Sequence, residues 1–130
     1  MNEITGVNHI GVRITNLTEA RSFYEKLGFE FVIGPIGPEP VAIMKHPSGV
    51  NINLIINGCA YEEKNILMDV PEKYTGYTHI ALEVSDIDSM LKILKSKDIK
   101  ITEGPVSFPG VVSIFIRDQD YNVIEFHKSQ

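Results

Sequence analysis

The 130-residue sequence predicts an α+β fold of two tandem βαβββ modules that form a curved mixed sheet around a cleft. Three observations carry this expectation. The chain repeats itself, each half shows the same order of strand and helix signals, and neither half is large enough to cover its sheet alone. The segment VNHIGVRITNLTEARSFYEKLGFEF from Val7 aligns without a gap to YTHIALEVSDIDSMLKILKSKDIKI from Tyr77, an offset of 70. His9 then falls on His79, Asn16 on Asp86, and Gly34-Pro35 on Gly104-Pro105. Later, Ile52 to Leu54 falls on Ile124 to Phe126, at an offset of 72. The expected layout is one domain over 1–130, with module one at about 5–58, a connection at about 59–76 and module two at about 77–128.

The elements follow in order. Residues 8–15 mix β-branched and aliphatic types and read as a strand. Asn16, Thr18 and Glu19 supply a polar helix start, with Thr18 as candidate N-cap. Ala20, Phe23, Tyr24 and Leu27 recur at helical spacing, and Gly28 is the expected stop. Strands are expected at 29–34, 40–45 and 50–56. In the second half Asp86 or Asp88 opens a helix whose apolar face is Ile87, Leu91 and Leu94. Strands are expected there at 99–103, 111–117 and 122–128. The polar stretch from Cys59 to Gly76 reads as the connection, helical in part.

Composition excludes several function classes. Lys plus Arg is 12 against 17 Asp plus Glu, a net charge of −5, so a nucleic-acid partner is not expected. No apolar run approaches the roughly 20 residues that span a bilayer. The start, Met1-Asn2-Glu3-Ile4, lacks signal-peptide character, and Cys59 is the single cysteine. A cytoplasmic protein is the expectation. Ser-His-Asp order, Gly-rich phosphate loops and CxxC are absent from the sequence.

Chemistry concentrates on four positions. His9 and His79 hold one repeat position near the start of a first strand. Asn53 and Glu125 hold another, in the middle of a last strand. Neighbours alternate faces along a strand, so if Ile124 and Phe126 face the helix, Glu125 faces away. A carboxylate between large apolar residues demands a partner or a cation. Two imidazoles and a carboxylate make a 2-His-1-carboxylate set suited to a divalent transition metal. Asn53 brings an amide oxygen, a weaker ligand. His46 reads as a turn residue before Pro47-Ser48-Gly49, and His127, which at two residues on from Glu125 could share its face, reads as solvated near the C-terminus. Arg13, Lys45 and Arg117 are strand cations available to an anionic substrate, with Arg117 expected to pair with Asp118 or Asp120. Tyr24, Tyr61, Tyr77, Phe108 and Phe115 are the candidate aromatic walls of a pocket.

The motifs NHIGVRITNLTEARSFYEKLGFEF, THIALEVSDIDSMLKILKSKDI and FIRDQDYNVIEF resemble the vicinal oxygen chelate superfamily. That superfamily holds glyoxalase I, extradiol dioxygenases, methylmalonyl-CoA epimerases, fosfomycin-resistance enzymes and bleomycin-binding proteins. The resemblance runs from about Ile4 to His127. It implies a glyoxalase-like fold, commonly within a homodimer, acting on a small-molecule substrate. Its metal ligands fall on His9, Asn53, His79 and Glu125, for a divalent ion such as Ni, Zn, Co, Mn or Fe. In glyoxalase I-like members a carboxylate usually stands where this chain has Asn53, and epimerase-like members can carry a glutamine there.

The resemblance implies first a glyoxalase-like, lactoylglutathione-lyase-type metalloenzyme that binds adjacent substrate oxygens and promotes isomerisation or proton transfer. Glu125 is then the catalytic base. The alternatives are an extradiol-type ring-cleaving dioxygenase and a non-catalytic small-molecule-binding or drug-resistance protein.

Overall fold

A computed structural model of the chain describes residues 1–129 and divides into two compact units, 1–60 and 61 onward. In the first, β1 (Ile10–Arg13), α1 (Leu17–Lys26), β2 (Glu30–Ile36), β3 (Val41–Lys45) and β4 (Asn51–Ile55) follow one another. In the second, β5 (His79–Glu83), α2 (Ile87–Ser96), β6 (Ile101–Phe108), β7 (Val111–Arg117) and β8 (Val123–Ser129) repeat the order. Each unit is therefore βαβββ, and the tandem-module α+β expectation holds. The sheets run β1-β4-β3-β2 and β5-β8-β7-β6. The first and last strands pair in parallel and the remaining pairs are antiparallel.

Alternation sorts each sheet into a helix-side face and an opposite face. In unit one Ala42, Met44, Ile52 and Leu54 are buried with Ala20 and Tyr24 of α1. In unit two Ile114, Ile116, Ile124 and Phe126 are buried with Ile87 and Leu94 of α2. Burying a Leu or Ile side chain stabilises by about 1.5–3 kcal/mol, so these stripes hold each helix to its sheet. The opposite faces carry Gly11, Val41, Ile43, Asn53 and Ile55 in unit one. In unit two they carry Ala81, Ser113, Phe115, Glu125 and His127.

The repeat extends to the turns. Asn16 is the N-cap of α1, accepting a hydrogen bond from the Glu19 backbone N–H. Asp86 does the same for α2 through Ser89. Thr18 lies inside the first turn of α1, which corrects its expected capping role, because its backbone is already helical. Both helices end in a paired-amide closure: Phe29 N–H reaches Tyr24 C=O and Ile99 N–H reaches Leu94 C=O. Gly28 takes the left-handed position in the first, at φ +93°, and Asp98 takes it in the second, at φ +55°. At Gly34 and Gly104 the strands shift register, and an added Cβ would lie 2.6 Å from Val41 C=O or 2.7 Å from Ser113 C=O. Only glycine permits that approach.

Three expectations change. β1 spans Ile10–Arg13 rather than 8–15, and β6 runs on to Phe108 rather than stopping at 103. The connection from Cys59 to Gly76 folds as turns and bends, with no helix among the described residues. Its Asn65 side chain instead nucleates a turn, Oδ1 accepting from the backbone N–H of Leu67 and Met68.

Candidate functional site

His9 lies immediately before β1, two residues ahead of Gly11, whose strand partner is Asn53. Asn53 is half-buried on β4, with Ile43 of β3 on its other side. Gly11 and Asn53 share the sheet face opposite the helix, and His9, just outside the strand, is exposed. His79 opens β5 of the second unit, and Glu125 sits in β8 beside Ala81. Ile124 and Phe126 are buried on the helix side, so Glu125 points the other way, as the alternation requires.

The two equivalent histidines are held alike. The Nδ1 atom of His9 lies 2.8 Å from Asn8 Oδ1, and that of His79 lies 2.8 Å from Thr78 Oγ1. In each repeat the residue just before the histidine supplies the oxygen. An Nδ1 hydrogen donated to that oxygen leaves the Nε2 lone pair open, the arrangement of a metal-ligating imidazole. His79 Nε2 faces Glu125 Oε1 at 3.4 Å. Its ring meets Phe115 edge to face, with centroids 5.7 Å apart.

Glu125 has two further partners, Ser113, which carried no signal in the sequence, and His127, expected to be solvated. Its Oε2 lies 3.0 Å from His127 Nδ1 and 3.4 Å from Ser113 Oγ, and Ser113 Oγ lies 3.2 Å from His127 Nδ1. The Glu125 side chain is 13% exposed and that of His127 is 30% exposed. His127 is thus part of this cluster rather than solvated. The available signal was its i+2 spacing from Glu125, which puts both on one face.

Within either unit, no three His, Cys, Asp or Glu side chains among the described residues form a metal-binding group. The four expected ligands divide two and two, His9 and Asn53 in unit one, His79 and Glu125 in unit two.

Other candidates resolve into structural roles. His46 shapes the turn before β4, its Nδ1 accepting from the Ser48 N–H. Asp118, buried at the equivalent turn before β8, accepts from the N–H groups of Asp120 and Asn122. Arg117 pairs with neither Asp118 nor Asp120. Its guanidinium bridges Asp69 of the connection at 2.7 Å and Glu103 of β6 at 2.6 Å, because the β6–β7 register brings those carboxylates alongside. Burial pushes both carboxyls up, but the Arg117 hydrogen bonds and charge outweigh it and hold them below their ordinary range. Arg13 is engaged by Glu39 and Asn57. Tyr24 is core, packed edge to face on Phe23 and Phe29, and is no pocket wall.

A family model described as the Glyoxalase/Bleomycin resistance protein/Dioxygenase superfamily matches residues 6–126. The chain belongs to that superfamily. It is 29% identical over 125 residues to the mitochondrial methylmalonyl-CoA epimerase of Bos taurus, covering 88% of this chain and 67% of that protein. Among solved structures it is similar to a glyoxylase/bleomycin resistance protein/dioxygenase domain from Frankia sp. EAN1pec. That match has a TM-score of 0.79 and 17% identity, over 98% of this chain and 94% of that one. It is also similar to the fosfomycin resistance protein FosX of Listeria monocytogenes, with a TM-score of 0.72 and 18% identity, over 98% and 95% of the two chains. At these identities the two structures show the fold alone. No helix among the described residues is long and apolar enough to cross a membrane.

Proposed function

We propose that the chain is a metal-dependent enzyme that moves a proton at a carbon beside a carbonyl of a small organic substrate. In unit two His79 and Glu125 would hold the metal, with His9 and Asn53 as the repeat-equivalent pair of candidate ligands in unit one, and Glu125 would carry the proton. The observation that carries this reading is the His79–Glu125 pair. His79 has Nδ1 tied to Thr78 and turns Nε2 toward Glu125 Oε1 at 3.4 Å. Two ligand atoms, each about 2.1 Å from one ion at a tetrahedral angle, stand about 3.4 Å apart, so the spacing suits a shared divalent ion. The donor types support the same conclusion: imidazole with carboxylate in unit two, and imidazole with an amide oxygen in unit one, each suit a divalent transition metal.

The metal, when bound, would act as a Lewis acid toward adjacent substrate oxygens. The protein's own groups do the rest. Glu125, the one carboxylate among the four positions, takes the proton from the substrate carbon and returns it. Asn53 cannot take up a proton near neutral pH, so it orients and does not act as a second base. Removal and return of a proton by Glu125 on one face of the carbon accounts for proton exchange there, and inversion needs a second proton donor on the opposite face. The similarity to a methylmalonyl-CoA epimerase favours epimerisation over the lactoylglutathione-lyase type.

Two measurements test the reading. Protein purified without chelator is expected to carry about one metal ion per chain, and His79→Ala to lose it. Equal metal content in both overturns the assignment. Metal-loaded protein in deuterium oxide is expected to exchange the C2 proton of methylmalonyl-CoA, followed by proton NMR. No exchange, together with oxygen uptake on a catechol, would replace the epimerase reading with ring cleavage.

A further inference from the structure

We infer that Ser113 and His127 are positioning residues that fix the Glu125 carboxylate for metal ligation and proton transfer, an inference that rests on the function proposed above. The three side chains form a closed set on the face of the second sheet opposite α2. His127 Nδ1 and Ser113 Oγ both reach Oε2 of Glu125, at 3.0 and 3.4 Å, while Oε1 is left toward His79. Ser113 is 4% exposed, so its hydroxyl is held by the strand and does not wander. Strand register enforces the arrangement, since Ser113 pairs directly with His127 across β7 and β8. With its hydrogen on Nδ1, His127 donates to Oε2, and the Ser113 hydroxyl donates to the same oxygen. The carboxylate is then fixed in rotation about its last bond, with one oxygen anchored and the other presented.

The other repeat supplies an internal control. Asn53 stands where Glu125 stands, and its strand neighbours at the positions of Ser113 and His127 are Val41 and Ile55. Those two are apolar and pair with each other across β3 and β4 as Ser113 and His127 do across β7 and β8. The polar pair therefore occurs only beside the carboxylate. A half-buried carboxylate needs donors for the fold alone; what points to positioning is that both donors engage one oxygen, Oε2, and leave Oε1 toward His79. Groups that hydrogen-bond a ligating carboxylate set its orientation, and their removal typically weakens metal binding about 10–100-fold.

The test uses the full chain and cobalt(II) as the probe, with four variants. His127→Phe keeps a ring without its nitrogens, and Ser113→Ala removes the hydroxyl. His127→Asn restores a nitrogen at the place of Nδ1, and His79→Ala is the control for the metal site. Cobalt affinity is read from its visible absorption and fold integrity from the melting of metal-free protein. Methylmalonyl-CoA exchange gives kcat and KM. His127→Phe is expected to weaken cobalt binding about 10–100-fold and to lower kcat with KM little changed, while metal-free melting stays near wild type. Ser113→Ala is expected to move the same way by less, and His127→Asn to recover most of the loss. Wild-type cobalt affinity and kcat in His127→Phe, with His79→Ala still abolishing binding, would overturn the inference and leave the proposed function standing. A fall in metal-free melting without a change in cobalt affinity would also overturn it, by showing a structural role. Absence of cobalt binding in the wild type would overturn both.

Discussion

Asn53 and Glu125 occupy one position of the repeat and differ by a charge and a titratable oxygen. Both are flanked by buried apolar neighbours, Ile52 and Leu54 in one case, Ile124 and Phe126 in the other. An amide on such a strand needs only hydrogen bonds, whereas a carboxylate needs donors or a cation. Unequal contributions to the proposed metal site follow. Asn53→Ala is expected to weaken cobalt affinity by less than about tenfold, against a loss of about a hundredfold or more in His79→Ala. Asn53→Asp is expected to tighten binding, because it adds a charged oxygen. A cobalt titration checks both, and equal losses in Asn53→Ala and His79→Ala would remove the distinction between strong and weak ligand. At this scale the sequence made His79 and Glu125 legible through repeat equivalence and strand parity. It did not disclose that Asn8 and Thr78 hold the imidazoles or that His127 joins Glu125. Those are choices among several nearby donors, settled by side-chain geometry.

Helix ends show how a repeat keeps a physical role while exchanging residues. Asn16 and Asp86 both cap, and each satisfies a backbone N–H that the first turn leaves without a partner. Asn16→Ala is expected to lower stability by about 1 kcal/mol, while Thr18→Ala should have a much smaller effect. Urea unfolding distinguishes them, and equal effects would contradict the assigned cap. At the C-terminal ends, Gly28 adopts its left-handed backbone without penalty, whereas Asp98 sits there with a side chain, at φ +55°. Asp98→Gly is therefore expected to stabilise by up to about 1 kcal/mol, with unchanged denaturant slope. A loss of stability would mean that the Asp98 side chain contributes more than its backbone strain removes. Gly28 as a stop was readable from its residue type. The cap required structure to decide between Asn16 and Thr18, since both are good capping residues two positions apart.

Across the second unit as a whole, Arg117 joins segments far apart in the chain. Its side chain is 8% exposed and bridges Asp69 and Glu103, whose side chains are 28% and 43% exposed. Burial raises both carboxyls, and the hydrogen bonds and charge of Arg117 more than reverse that. Carboxyls held below their ordinary values of 3.8 and 4.5 contribute stability that is whole above those values. It is lost as pH falls through the depressed folded values. Wild-type protein is accordingly expected to lose stability as pH drops from about 5 to about 2. Arg117→Met should be less stable at pH 7 by about 1–2 kcal/mol, a modest figure because Glu103 is more than a third exposed and solvent screens it. The gap between the two proteins should narrow in acid, measured by urea unfolding across pH. A gap independent of pH would sever stability from these ion pairs.

By itself the sequence determined two βαβββ units, their helix stops, the helix-side stripes and the candidate quartet His9, Asn53, His79 and Glu125. These follow from periodicity, residue type and an internal repeat, all of them local or comparative properties of the chain. Only the tertiary structure decided who touches whom. It paired Arg117 with Asp69 and Glu103 instead of the adjacent Asp118 and Asp120. It brought Ser113 against Glu125 and His127. The physical reason is register: which residue of one strand stands opposite which residue of the next is set by bulges, turns and core packing acting together across the sheet, and a shift of one residue would reverse every face.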